Sequence, residues 1–295
     1  MGWMPVQRVP ADVSCHLGPL VLVREHVKID NDLISSICTG DQTMRLRHLP
    51  LPDPSSYKHA GNLQSHVVTA FLAHKASPAT VPAPKPTIIT FEPHPIYTCG
   101  RREVGHVSKE QIEYLEKPIK GLGRGAKFAE ALRGGQTTFH GPGQLVAYPI
   151  LDLKRHGLTA RCYVNLLEEA VIATCANSGV KTQRTENPGV WTDELHKICA
   201  LGVHMRRNIS SHGIGLNVAT DLRWFDKIVA CGLEGKKTTT LQAQGVEEVG
   251  VQQAGHVFVQ EMVRLLGGIE GVDIIAKEDI GHGDVEKDGV ASPSS

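Results

Sequence analysis

The chain has 295 residues, with 31 lysines and arginines against 31 aspartates and glutamates, so its formal net charge is zero. That balance excludes a nucleic-acid binder of the electrostatic type. An apolar content of 41% with 21% charged residues suits a globular protein and excludes collagen, coiled coil and wholesale disorder. No apolar run approaches the roughly eighteen residues that a membrane helix needs, so neither nucleic acid nor membrane is expected as a partner.

Seven cysteines, at 15, 38, 99, 162, 175, 199 and 231, form no CxxC pair, and their odd number argues against a complete disulfide framework. A reducing compartment is expected. The histidines are scattered singly, with no HExxH and no paired cysteines beside them, so no structural metal is expected.

In chain order, residues 1–43 mix Arg8, Arg24 and Lys28 with Asp12, Glu25, Asp30, Asp32 and Asp41, which is too acidic for a mitochondrial presequence. The text changes at Met44 to MRLRHLPLPDPSSY, which makes Met44 a candidate start of translation or of the folded domain. The 43 residues before it are expected to lie outside the fold. Asn62 is expected to cap a helix to about Lys75, with Leu63, Val67, Ala70 and Phe71 at helical spacing. Ser77 to Pro86 reads as a loop, and the β-branched run Thr87 to Phe91 reads as a strand. Pro93 and Pro95 then break regularity. Lys117 to Lys127 reads as an exposed loop and Leu145 to Ile150 as a strand. The periodicity of Tyr163, Leu166, Leu167, Ala170, Val171 and Thr174 predicts a helix over 160–177, with Gly179 at the C′ position. Short strands are expected at Val190 and Trp191, over 198–205 and over 216–218, and a helix over 252–266. Residues 279–295 are expected to fray. Without regular βαβ alternation, residues 44–278 form one α/β or α+β domain, a mixed sheet flanked by helices.

Four segments carry candidate chemistry. Arg133-Gly134-Gly135-Gln136-Thr137-Thr138-Phe139-His140 opens a glycine-rich stretch whose backbone N–H groups can approach a ligand closely, with Arg133 and His140 as further donors; it matches neither GxxxxGK[ST] nor GxGxxG, and a plain tight hairpin is the bland alternative. Lys197 starts an apolar strand and shares a face with Cys199 and Leu201. On such a face the charged form of an amine is disfavoured, which suits a base, although a strand-end lysine is ordinarily a solvated edge residue. Ser211-His212-Gly213-Ile214-Gly215 reads as a turn leading into a strand. Cys231, in IVACGL, stands between an apolar run and a glycine, where a cysteine is most often a small buried hydrophobe.

Taken in order, RGGQTTFHGPGQLVAYPILDL, NPGVWTD, HKICALGV, SSHGIGLNV, DLRWFD and IVACGL resemble the lipoyl(octanoyl) transferases, over about Met44 to Leu266. The resemblance implies the biotin/lipoate protein ligase fold. It implies that Cys231 is the acyl-accepting nucleophile, that Lys197 activates it, and that residues 133–140, Ala200-Leu201-Gly202 and Gly213-Ile214-Gly215 line the acyl pocket. His94, in EPHPIYTCG, stands near a histidine of the family, with proline and histidine in a different local order; His212 is a further possible site residue.

The implied reaction moves an octanoyl group from octanoyl-acyl carrier protein to a lysine of the lipoyl domains of 2-oxoacid dehydrogenase E2 subunits and of the glycine cleavage H protein. Exchange of one thioester for another is nearly balanced in free energy, so neither ATP nor a metal cofactor is expected. Both carriers are small and usually acidic, and Lys117, Lys120, Arg124 and Lys127 are candidate contacts for them. The rivals are an ATP-dependent lipoate or biotin protein ligase, which needs no thiol at 231, a Cys-His hydrolase, and a non-catalytic acyl-binding relative. The implied location is mitochondrial for a eukaryotic chain and cytoplasmic otherwise.

Overall fold

The computed structural model describes residues 44–228 and 235–280. The expectations for 1–43, for Cys231 and for residues 281–295 fall outside those residues. Strands β1 (Met44–Pro50), β2 (Thr87–Phe91), β3 (Ile96–Cys99), β4 (Lys127–Glu130), β5 (Thr138–His140), β6 (Gln144–Ile150), β7 (Val190–Trp191), β8 (His196–Arg206), β9 (Ile209–Asn217), β10 (Lys237–Thr238) and β11 (Ile269–Ile274) alternate irregularly with helices α1 (Tyr57–Ala76), α2 (Lys109–Glu116), α3 (Ala160–Asn177) and α4 (Val251–Leu265). The main sheet has eight strands in the order β10-β8-β9-β6-β2-β1-β11, with β7 paired to β8. It is mixed: β1 runs parallel to β2 and β11, and β10 parallel to β8, whereas β2-β6, β6-β9 and β8-β9 are antiparallel. A second sheet, β4-β3-β5, has three strands.

Strand alternation explains why the central strands are apolar throughout. In β6, Leu145 and Ala147 enter the core shared with α3 and α4, while Val146, Tyr148 and Ile150 enter the core under α1; Ile88 and Ile89 of β2 divide in the same way. Both faces of the sheet are thereby covered, and every residue of β2 and β6 is buried. A third cluster, Tyr97, Leu115, Phe139 and Trp224, holds the small sheet, with Phe139 and Trp224 stacked at 4.9 Å.

Helix α3 and strand β2 have the expected bounds, and Gly179 has φ +76. Other expectations need correction. Helix α1 begins at Tyr57 instead of after Asn62, because the Ser56 hydroxyl accepts the His59 N–H and caps the helix. The segment Ser211 to Gly215 is not a turn but lies inside β9. The turn of the β8–β9 hairpin falls at Arg207 and Asn208, which have φ +51 and +64, the paired left-handed conformation of a tight hairpin. Among the described residues, no helix is long and apolar enough to cross a membrane.

Burial of two histidines makes this fold acid-sensitive. His48 is 2% exposed and shares a hydrogen bond with Thr90 through Nε2; burial, with His256 nearby, lowers its pKa to about 4. Burial and Arg133 lower that of His140 to about 3. Both rings bind a proton more readily in the unfolded chain, so the stability that their neutral forms carry is complete above about pH 6.5 and is lost as pH falls towards the folded values. Each should cost about 2 kcal/mol at pH 5 relative to pH 7.5. Urea unfolding at the two pH values checks this, and equal midpoints would contradict it.

Candidate active site

The β8–β9 hairpin forms the floor of a pocket of about 220 Å³, lined by Ala200, Leu201, Gly202, Gly213, Ile214 and Gly215, with Val146 and Tyr148 of β6 beside them. The register pairs Ala200 with Gly215 and Gly202 with Gly213, so residues with almost no side chain meet across the strands and leave the space open. A Cβ on Gly202 would stand 2.9 Å from Arg133 Cδ, and one on Gly215 would stand 3.2 Å from Gln144 Oε1. Side chains here would fill the pocket. A dry cavity of about 150 Å³ holds benzene, roughly 25 Å³ per carbon, so this pocket has room for about nine carbons.

Lys197 stands at one end. It is 7% exposed, not a solvated edge residue, because β7 and β10 flank the start of β8. Its Nζ donates to Pro188 O at 3.0 Å and lies 4.5 Å from the centre of the Trp191 ring. The turn that cradles it depends on Gly189, whose φ of +127 is a conformation that side chains avoid, and whose Cβ, if present, would stand 3.1 Å from Lys197 Cε and 2.8 Å from Cys199 O. Glu168, a buried carboxylate of α3, accepts the Gly189 N–H at 2.9 Å and anchors the turn. Burial pushes the Glu168 pKa up.

The long wall is built by the glycine-rich stretch. The Arg133 guanidinium is buried and donates to Thr98 O at 2.6 Å, to Thr98 Oγ1 at 2.7 Å and to the carbonyls of Gly134 and Gln136, both at 3.0 Å. It therefore ties β3 to the loop before β5. His140 is oriented by a chain of amides. Asn217 Nδ2 donates to Thr239 O, Gln144 Nε2 donates to Asn217 Oδ1, and Gln144 Oε1 is left to accept from His140 Nδ1 at 2.7 Å. That order assigns the His140 proton to Nδ1, and the low pKa keeps the ring neutral.

The structure thus brings Arg133, Gly135, Gln136, Thr138, His140, Lys197, Ala200 to Gly202 and His212 to Gly215 to one pocket. Gly134 lines a neighbouring cleft with Arg101 and Arg102. Thr137 turns away and donates to Glu103, and Phe139 belongs to the third core cluster. His94 is exposed in the loop before β3 and does not line the pocket. Lys117, Lys120, Arg124 and Lys127 are exposed. Five lining residues had no role assigned from sequence: Tyr57, Val146, Tyr148, Asn187 and Pro188. The last two stand in NPGVWTD, whose Asn-Pro-Gly is a turn signal that marks their position. Cys99, Cys175 and Cys199 are free and buried, and burial raises the pKa of each, so none of them is an activated thiol. Among the described residues, no cluster of histidine, cysteine and carboxylate side chains could hold a metal ion.

The lipoyl protein ligase A/B catalytic-domain model matches residues 68–263. A protein named a probable octanoyltransferase, from Schizosaccharomyces pombe, is 53% identical over 192 residues, which is 65% of this chain and 82% of that protein. The chain belongs to the octanoyltransferase family. A mitochondrial octanoyl-[acyl-carrier-protein]:protein N-octanoyltransferase of Danio rerio is 43% identical over 168 residues, 57% of this chain and 71% of its own. Among solved structures, a bipartite lipoate protein ligase from Thermoplasma acidophilum matches with a TM-score of 0.55 at 14% identity, covering 80% of this chain and 90% of that one. At that identity the likeness is one of fold, and it is the lipoate ligase-like fold expected for an octanoyltransferase.

Proposed function

We propose that the protein transfers an octanoyl group from octanoyl-acyl carrier protein to a lysine of lipoyl domains, including those of 2-oxoacid dehydrogenase E2 subunits and the glycine cleavage H protein, through a thioester on Cys231. The observation that carries this reading is the pocket itself: a buried amine at one end of a main-chain floor with room for about nine carbons. Each buried methylene contributes about 0.8 kcal/mol to holding the tail. Supporting the pair of residues, Thr238 stands seven positions after Cys231 and pairs directly with Lys197.

In the first half-reaction Cys231 gives its proton to Lys197 and attacks the carrier thioester carbonyl as the thiolate; the new C–S bond forms, the C–S bond to the carrier breaks, and the carrier sulfur leaves as the thiol by taking that proton from Lys197, whose amine is then neutral. In the second, the acceptor lysine loses a proton to Lys197, its nitrogen attacks the acyl-enzyme, and Cys231 leaves as the thiolate. Bonds made and broken balance without ATP or a metal. For a eukaryotic chain a mitochondrial location goes with this reading, on the strength of the Danio rerio relative's name.

Intact mass of the purified protein after incubation with octanoyl-acyl carrier protein and no ATP tests the reaction. The native chain should gain one octanoyl group that hydroxylamine removes, and Cys231→Ala should gain none. No adduct, with octanoylation of a lipoyl domain only when octanoate and ATP are supplied, would make the protein a ligase instead.

A further inference from the structure

One polar side chain at the amine end of the pocket has no part in the reaction proposed above. Asn187 lines the pocket next to Pro188, whose carbonyl accepts the Lys197 ammonium at 3.0 Å. Its backbone is fixed by three hydrogen bonds. The N–H donates to Thr185 Oγ1 at 3.2 Å, and the carbonyl accepts from Thr185 Oγ1 at 3.3 Å and from Trp191 Nε1 at 3.1 Å. Trp191 is fully buried and pairs with Lys197 across β7 and β8, so its ring pins the turn to the strand that carries the amine. The side-chain amide of Asn187, by contrast, meets no hydrogen-bond partner among the described residues. An amide on an immobilised backbone, with both N–H groups free, is a donor set for a group that enters the pocket.

The proposed chemistry needs such a donor. In each half-reaction the attacking atom adds to the acyl carbon, and the carbonyl electron pair moves onto oxygen. Collapse of that tetrahedral oxyanion restores the carbonyl and expels sulfur. Donors aimed at the oxyanion in a site shielded from water are ordinarily a large part of such catalysis. The other polar groups of the pocket are already committed. All five N–H groups of Arg133 are directed at Thr98, Gly134 and Gln136. His140 gives its Nδ1 proton to Gln144, so its other ring nitrogen can only accept. Lys197 carries the travelling proton while the oxyanion exists. Gln136 and Thr138 belong to the glycine-rich wall, which meets the floor at Gly202, where a Cβ would stand 3.0 Å from Gly134 O. Gly202 is five residues along β8 from Lys197, roughly 17 Å of strand.

We propose that the Asn187 side-chain amide donates a hydrogen bond to the thioester carbonyl oxygen and holds the negative charge that develops there in both half-reactions. This rests on the octanoyl-transfer reading and adds to it the group that stabilises the oxyanion. The proton path through Lys197 is unchanged. Because the bond strengthens as charge develops, it lowers the barrier without tightening the bound donor.

The test follows acylation by octanoyl-acyl carrier protein in single turnovers, read by intact mass, in native protein and three variants. Asn187→Leu has a similar volume and no donor, Asn187→Asp has the same shape and no N–H, and Thr185→Val removes two bonds of the turn without touching the amide. The acylation rate at saturating donor should fall about 10²-fold in both Asn187 variants. The donor concentration for half-maximal rate should stay within about twofold in Asn187→Leu. Thr185→Val should lose less than about threefold, since it leaves the amide in place. A rate within about threefold of native in either folded Asn187 variant overturns the donor, and so does an equal loss in Thr185→Val, which would trace the effect to the shape of the turn. Failure of the native protein to take octanoyl from its carrier overturns the underlying reading as well.

Discussion

Lys197→Ala should lower kcat for octanoyl transfer by about 10³-fold while leaving the protein folded, since a positioned proton-transfer group contributes about 10²–10⁴. The side chain fills a slot that nothing else fills: its ammonium meets Pro188 O and the Trp191 face, and Gly189 leaves its methylenes just enough room. Lys197→Arg should fare little better. The planar guanidinium is wider than an ammonium, and the slot would have to move Gly189, which Glu168 holds in place. Circular dichroism and thermal unfolding should be near those of the native chain, because the polar losses are confined to one hydrogen bond to a carbonyl and one contact with the Trp191 ring. Retention of activity within tenfold in Lys197→Ala would remove the residue from the reaction.

The largest loss of stability should follow Arg133→Met. Methionine preserves much of the buried volume but removes every donor, leaving the carbonyls of Thr98, Gly134 and Gln136 without the guanidinium that satisfies them. The penalty is about 3–5 kcal/mol, which for a domain of this size lowers the melting temperature by about 10 °C. Arg133→Lys should recover only part of it, because a single ammonium cannot span β3 and the loop at once. A melting temperature within about 2 °C of native for Arg133→Met would show that the loop is held by its backbone turns and not by the arginine.

How far the sequence foretells this molecule depends on where each signal resides. Helix α3 and strand β2 are legible because their apolar positions repeat locally and are bounded by a cap and by prolines. Strand β11 is not, because it is an exposed to half-buried edge whose pairing with β1 spans more than 220 residues. Helix α2 buries only Leu115 and so has hardly any apolar face to detect. In β9 the rule that glycines mark turns fails for a physical reason: Gly213 is there because the Ala147 carbonyl of β6 stands where a Cβ would go, and Gly215 because a Cβ would crowd Gln144 and His140 at the pocket, while the real turn uses Arg207 and Asn208. The same division holds in the site. Lys197 and Arg133 stand out from sequence, but Tyr57 and Tyr148 come from a helix and a strand distant in the chain and meet only after the sheet and α1 have packed together.

Strand β1 lies between β2 and β11, so the first described strand is completed by the last. During synthesis at about 5–20 residues per second, β1 would wait roughly 10–45 s for its second neighbour, with one edge open throughout. Any chain stalled or cleaved before Ile269 would keep that edge unpaired, which makes such fragments good substrates for chaperones and prone to join one another strand to strand.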